Sequence, residues 1–410
     1  MAKLSGAIYQ DTIPIIHSLG HSMVANSTTA NVRWMVSDSV GYESDFERTS
    51  SVDRGNPIIV RTITIRGFDA SDESVDRELL LNNICAADPV KLSQDYPALG
   101  LHRGLLGIAK EIYRDILPYI NGVGPMHKIV LTGHSIGGAI ANLILFLLTA
   151  ERGNIYVQDK VKRVFTYGSP PIAVVDEDAS STEKPSYHCS VLETLGLPSD
   201  MVFGYIQPLD PIVRFLSRID SLYPLIGDLG PDGVTLYASG PPRTLRPITR
   251  TILEAWEDWP AFRDNYRGVL DQNYSSIGIQ HLMMPDTGRY LADRLVNVNI
   301  NAYEVDEVLR VSSDELYGAL EHAFPLDTFQ VSLVPTAIRS FVHHFFPAYS
   351  EGFEGYVSAI GGDRRDDVVN NEVESKLDQE SSLPTASIVD SEIESVKKLK
   401  LKKSTDQFGL

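Results

Sequence analysis

The sequence predicts an α/β fold with a mostly parallel central sheet flanked by helices, and three observations carry that expectation. Short β-branched or apolar runs alternate with longer helix-period stretches from about residue 58 to about residue 206, the pattern of βαβ units. Turn clusters close the strand-like runs: Arg66-Gly67, then Gly168-Ser169-Pro170-Pro171, then Gln207-Pro208-Leu209-Asp210-Pro211. The composition, 43% apolar and 22% charged over 410 residues, suits a globular chain with a sizeable core and excludes collagen, coiled coil and wholesale disorder.

The elements follow in order. Residues 1–55 are mixed and polar, with a few apolar patches. Ile58 to Ile65 is a β-branched run, read as a strand that stops at Arg66-Gly67. Asp72 to Ala87 reads as a helix ended by Asp88-Pro89. His102 to Leu117 is a second helix, with Leu105, Leu106, Ile108, Ile112, Ile116 and Leu117 on one broad face and Pro118 expected to stop it. Lys128 to Thr132 is a short buried strand, and Ile136 to Ala150 an apolar helix with Gly153 as its C-terminal cap. Val161 to Tyr167 and Met201 to Ile206 are further strands. From about 227 to about 330 the pattern loosens, with turn signals at Pro231-Asp232-Gly233 and Pro241-Pro242. This stretch is expected to be an insertion on a core that spans residues 1–360.

After about residue 361 the composition shifts. Residues 363–394 hold ten acids and three bases, and the run Lys397-Lys398-Leu399-Lys400-Leu401-Lys402-Lys403 then reverses the sign. Such charge blocks with few aromatics predict a disordered tail over 361–410. Two readings of its basic run stay open: a solvated tail without a partner, or an amphipathic contact with an anionic lipid surface, helped by Val389, Ile393 and Val396 upstream.

Charge and cysteine usage narrow the function classes. With 54 acidic and 36 basic side chains the formal charge is −18, which argues against a general nucleic-acid binder. Two cysteines, Cys85 and Cys189, supply neither a disulfide framework nor a thiolate metal site. The N-terminus lacks a run long enough for a signal-peptide core, so an unprocessed, cytoplasmic chain is expected. Ile129 to Ala150 has no Asp, Glu, Lys or Arg, but its glycine-rich turn would break a membrane-spanning helix.

That turn is the strongest chemical signal. Gly133-His134-Ser135-Ile136-Gly137 follows the apolar strand Ile129-Val130-Leu131 and precedes a long apolar helix. This is the strand–turn–helix in which a G-x-S-x-G serine is exposed above a sheet as a nucleophile. A serine needs a base, and in this architecture an acid and then a histidine follow it along the chain. Asp210 stands at the end of the Met201–Ile206 strand between two prolines and is the candidate acid, with Asp220 and Asp228 as fallbacks. Beyond Asp210 the histidines are His281, His322, His343 and His344; the aromatic stretch around His343-His344 leaves both of these open as the base. An oxyanion needs backbone donors: the N–H of Ile136, and that of Phe68 in the loop after the Ile58–Ile65 strand.

Together these pieces resemble the class 3 (fungal-type) lipases of the α/β-hydrolase fold. The matching segments are Ile63-Thr64-Ile65-Arg66-Gly67, Leu101-His102-Arg103-Gly104-Leu105, Ile129 through Ala139, and Phe165-Thr166-Tyr167-Gly168-Ser169-Pro170. Asp210-Pro211-Ile212-Val213 is similar to, but shifted from, the family's acid motif. The resemblance selects His344 over the alternate His343, because it precedes Tyr349 by five positions and Glu351-Gly352 by seven. The stretch Asp327 to Phe353 looks more like the diacylglycerol-lipase branch. Many members carry Ser or Thr where this chain has Phe68, and that hydroxyl helps hold the oxyanion loop.

The resemblance implies a serine hydrolase of acylglycerol esters with the triad Ser135, Asp210 and His344. It implies no metal and no organic cofactor. A phospholipase A1 or galactolipase would share the chemistry, and a non-catalytic relative that binds lipid or protein is the competing class. The partners expected are a lipid ester and, through the tail, a membrane or lipid-droplet surface.

Overall fold

The computed structural model describes residues 1–9, 13–42, 56–67, 76–175, 191–207, 210, 212–214, 274–285, 305–311, 316, 319 and 320. In chain order the elements are α1 (Ala2–Ala7), α2 (Ile13–Ser18), β1 (Ser22–Thr29), β2 (Val32–Tyr42), β3 (Pro57–Ile65), α3 (Arg77–Cys85), β4 (Pro89–Lys91), β5 (Leu99–His102), α4 (Arg103–Asn121), β6 (His127–His134), α5 (Ile136–Arg152), α6 (Asn154–Lys160), β7 (Val161–Tyr167), β8 (Ala173–Val175), α7 (Val191–Thr194), β9 (Val202–Ile206), β10 (Ile279–Pro285) and β11 (Val305–Val311).

Eight strands form one sheet in the order β1-β2-β3-β6-β7-β9-β10-β11, and β4, β5 and β8 form a small second sheet. The pairings β3–β6, β6–β7, β7–β9 and β9–β10 are parallel; β1–β2, β2–β3 and β10–β11 are antiparallel. The five central strands therefore run the same way, and their C-terminal ends line one edge, where open α/β sheets place their sites. With helices packed on the sheet and a sharp turn from β6 into α5, this is an α/β-hydrolase fold.

Alternation along the strands gives the sheet two different faces. On one, Ile63, Ile65, Leu131, Val164 and Val202 join the cluster that takes in α4 and α5. Helix α5 is apolar all round, with Leu143, Ile144, Leu145 and Phe146 consecutively buried, as befits a helix with no water-facing side. On the other face stand Thr62, Thr64, Thr132, His134, Tyr167, Tyr205 and His281, related by register. Helix α1 lies there, its Ser5 hydroxyl 2.8 Å from that of Thr132. Leu4, Ala7, Ile8, Ile16 and Met35 pack beside it.

Four details depart from the sequence expectation. The described residues among the first 42 form α1, α2 and the hairpin β1–β2. The hairpin turns on Ala30 and Asn31, both at positive φ (49° and 64°), as a type I′ turn requires. The helix expected from Asp72 runs Arg77–Cys85, capped by Asp76, which accepts the Leu79 N–H at 3.0 Å. Pro118 does not stop α4, which continues to Asn121. The bond that Pro118 removes falls in the last turn, where Arg114 and Pro118 are both exposed, so water can serve the orphan carbonyl. Buried Ile120 and an Arg61 guanidinium that donates to the Tyr119 carbonyl (2.8 Å) hold that turn in place. Finally, the stretch about 227–330 supplies two strands of the central sheet itself, β10 and β11. Their partners are separated by a long connection, which hid them from a reading based on local alternation. The tail 361–410 lies outside the described residues.

Candidate active site

Strand β6 ends at His134, and the chain turns at Ser135 with φ 57° and ψ −134°. A non-glycine residue in this region is strained, at a cost on the order of 1–3 kcal/mol, and persists only where its surroundings hold it. Here they do. The Ser135 N–H donates to the Tyr167 carbonyl at the end of β7 (2.8 Å), and the Ser135 carbonyl accepts from Gly138 (2.9 Å) and Ala139 (3.3 Å). The turn is thus tied to the neighbouring strand and to the first turn of α5. Ser135 keeps 5% of its surface accessible.

The flanking glycines are required by close approach. A Cβ on Gly133 would lie 2.3 Å from the Gly137 carbonyl, and one on Gly137 would lie 2.3 Å from the Ile65 carbonyl oxygen. The elbow therefore docks directly on the end of β3. Ile136 begins α5, so its N–H is one of the helix's unshared donors beside the serine. Aligned peptide dipoles of a 17-residue helix add partial positive charge there.

The loop leaving β3 touches the elbow as well. At Gly67 a Cβ would meet the His134 carbonyl oxygen at 2.6 Å, the Tyr9 hydroxyl at 2.6 Å and the Ser135 Cβ at 2.7 Å. The Gly67 N–H donates to the Tyr9 hydroxyl (2.8 Å), and the same hydroxyl is 2.8 Å from His134 Nδ1. The Tyr9 and His134 rings meet edge-on, with centroids 5.7 Å apart. Phe68 itself lies outside the described residues. Sequence reasoning missed Tyr9 entirely: it precedes the serine by more than a hundred positions and belongs to no motif.

Asp210 is fully buried. Its N–H donates to the Gln207 carbonyl (2.9 Å) and its Oδ1 accepts the Ile212 N–H (2.8 Å), a local bond that fixes the carboxylate's direction in the loop after β9. Arg214, two per cent exposed, anchors the following turn through the Leu320 carbonyl (3.2 Å). His343, His344, His322, Asp220 and Asp228 lie outside the described residues.

Of the histidines beyond Asp210, His281 is the one the structure describes. It stacks on Tyr205 at 4.9 Å, which in turn stacks on Tyr167 at 5.3 Å. Burial, with Arg310 nearby, lowers its pKa to about 4. An imidazole that basic only below neutral pH is poorly matched to general-base work. Among the described residues no cluster of three His, Cys, Asp or Glu side chains is spaced to hold a metal ion. Nor is any described helix long and apolar enough to cross a membrane.

The family match falls on this same segment. Residues 63–192 match the family model "Lipase (class 3)". The chain is 30% identical over 129 residues to the chloroplastic phospholipase A1 PLIP2 of Arabidopsis thaliana, covering 30% of this chain and 16% of that protein. It is 38% identical over 74 residues to phospholipase A1 PLIP1 of the same plant, covering 17% and 11%. The chain thus spans less than a fifth of the length of these relatives. Among solved structures, a lipase from Rhizopus microsporus var. chinensis aligns with 15% identity and a TM-score of 0.35, over 52% of this chain and 66% of that one. Lip2 lipase from Yarrowia lipolytica aligns with 14% identity and a TM-score of 0.34, over 52% and 72%. The resemblance to the diacylglycerol-lipase branch rests on residues 327–353, outside the described set. The matched residues 63–192 carry the end of β3, the elbow and α5, and over that segment the chain is similar to class 3 lipases.

Proposed function

We propose that this protein is a serine hydrolase of lipid carboxylic esters. The observation that carries the proposal is Ser135 held at positive φ between the end of β6 and the N-terminus of α5. A hydroxyl in that position is presented to a substrate while backbone donors converge beside it. In this reading the Ser135 oxygen attacks the ester carbonyl as His344 takes its proton. The N–H groups of Ile136 and Phe68 receive the developing oxyanion. His344 then protonates the departing alcohol, leaving an acyl-enzyme that water hydrolyses by the same route. Asp210 orients the imidazole and stabilises its protonated form; its burial and its bond to Ile212 suit a fixed carboxylate. His343 is the alternate base.

Acylglycerols are the proposed substrates. A phospholipase A1 activity is the second reading, and the two plant relatives, both named phospholipase A1, favour it. The test is a hydrolysis panel of tri-, di- and monoacylglycerols, phospholipids and galactolipids, run with the wild type and Ser135→Ala. Activity should fall by several orders of magnitude, on the order of 10⁶ where triads have been dismantled. A variant that keeps a tenth of the rate removes Ser135 from the mechanism. The preferred lipid then separates the two substrate readings.

A further inference from the structure

We infer that Tyr9 is a positioning residue for the oxyanion loop, clamping it from the N-terminal segment; the inference rests on the ester-hydrolase reading above. An oxyanion hole works only if its donors are fixed before charge develops. The loop that follows β3 must therefore be held by something. Phe68, next to Gly67, brings no hydroxyl to that task.

The structure places a hydroxyl there from a different part of the chain. The Tyr9 Oη accepts the Gly67 N–H at 2.8 Å and lies 2.8 Å from His134 Nδ1. A phenol has one hydrogen and two lone pairs, so it can satisfy both groups at once. The first bond pins the residue before Phe68. The second pins the residue before Ser135. One side chain thereby spans the two strand ends, β3 and β6, whose following residues supply the proposed donor and nucleophile.

Two features make Tyr9 a rigid clamp. Its ring packs with the α1 and α2 apolar cluster of Leu4, Ala7, Ile8 and Ile16. One helical turn earlier, Ser5 bonds Thr132 on β6 at 2.8 Å. Helix α1 is thus pinned to the strand that carries the elbow, and Tyr9 extends from its end. The close approach at Gly67, which leaves no room for a Cβ among the Tyr9 hydroxyl, the His134 carbonyl and Ser135, shows that this residue is packed tightly against the elbow.

The test is Tyr9→Phe in the full chain, with Tyr9→Met as a second variant that lacks the hydroxyl but keeps apolar bulk. Two readouts are taken. The first is kcat and KM on a soluble short-chain ester. The second is the hydrogen-exchange rate of the Gly67 amide, which does not depend on turnover. Both variants should lower kcat by about tenfold or more, less than the 10²–10³ seen when a donor is removed outright, with KM nearly unchanged. Exchange at Gly67 should accelerate while amides in α5 stay protected. Unchanged exchange at Gly67 in both variants would overturn the clamp, as would faster exchange with unchanged kcat. A wild type that hydrolyses no ester would overturn the hydrolase reading and, with it, the catalytic role of Tyr9; the exchange data would still report whether the hydroxyl holds the loop.

Discussion

The two faces of the central sheet are built on different physics. The face under α4 and α5 is aliphatic, filled by Ile63, Ile65, Leu131, Ile140, Ile144 and their neighbours. The opposite face carries hydroxyls and rings: Thr62, Thr64, Thr132, His134, Tyr167, Tyr205 and His281 in register across the strands. The aliphatic face derives its stability from area removed from water and from close packing. The polar face depends on each buried group finding a partner. Ser5 and Thr132 have each other, and His21 Nδ1 stands 3.2 Å from Ser37 Oγ, whereas the Thr62 and Thr64 hydroxyls have no partner among the described residues. The elbow sits where the two faces meet, held by a dry helix behind and by a polar segment in front.

The sharpest break is predicted on the dry side. Gly137→Ala pushes a methyl to 2.3 Å from the Ile65 carbonyl oxygen, and backbone cannot yield as a side chain would. The expected loss exceeds about 4 kcal/mol, in the range reserved for such mechanisms. Chemical denaturation of the variant should show a collapsed midpoint, and failure to express folded protein is the extreme of the same outcome. A variant as stable as wild type would mean that the α5–β3 contact is looser than described.

Acid should probe both sides at once. Helix α4 hangs its first turn on His102, whose Nδ1 accepts the Leu105 N–H (3.3 Å) while Nε2 donates to the Ile84 carbonyl (3.1 Å). Burial lowers the His102 pKa to about 4, and burial together with Arg310 does the same to His281 on the polar face. Both groups are held neutral in the folded state. Their contribution is therefore complete above the unfolded value near 6.5 and is lost as pH falls from there to about 4. For His102 alone the loss is on the order of 3 kcal/mol. Denaturation midpoints measured from pH 7 to pH 4 should fall accordingly, and His102→Gln should flatten part of that slope. A pH-independent midpoint would contradict the burial of both rings.

How much of this was legible from the sequence divides along the same line. The aliphatic face announces itself: β-branched runs gave β3, β6, β7 and β9 to within a few residues, and the Gly-x-Ser-x-Gly turn located the elbow. Asp210 falls in the loop after β9, where the sequence places it. The polar face is not periodic in hydrophobicity. Strand β1, Ser-Met-Val-Ala-Asn-Ser-Thr-Thr, is lost in a mixed, polar stretch because it is an edge strand exposed along most of its length. Its turn uses Ala30 at positive φ, where a glycine would have signalled a hairpin. Tyr9 has no local signature because its partners, Gly67 and His134, are brought to it only by the folded sheet. The Pro118 miss has a different origin: a proline in an exposed last turn costs little when the residues after it are anchored.

The smallest expected effect also belongs to the polar face. Thr62→Val replaces a buried hydroxyl that lacks a partner among the described residues by a methyl of similar volume. Stability should stay level or rise by up to about 1 kcal/mol, because the desolvation cost of the hydroxyl disappears. Loss of more than that on thermal denaturation would indicate a hydrogen bond at Thr62 that the described residues do not contain.

The central claim is that Ser135 is an activated nucleophile, and covalent labelling with a fluorophosphonate tests it most directly. The wild type should take up one equivalent of probe, mapped by peptide mass spectrometry to the segment that holds Gly133-His134-Ser135-Ile136-Gly137. Ser135→Ala should take up none, and denatured wild type none. Stoichiometric labelling elsewhere in the chain, or a folded wild type inert to the probe, would contradict the account.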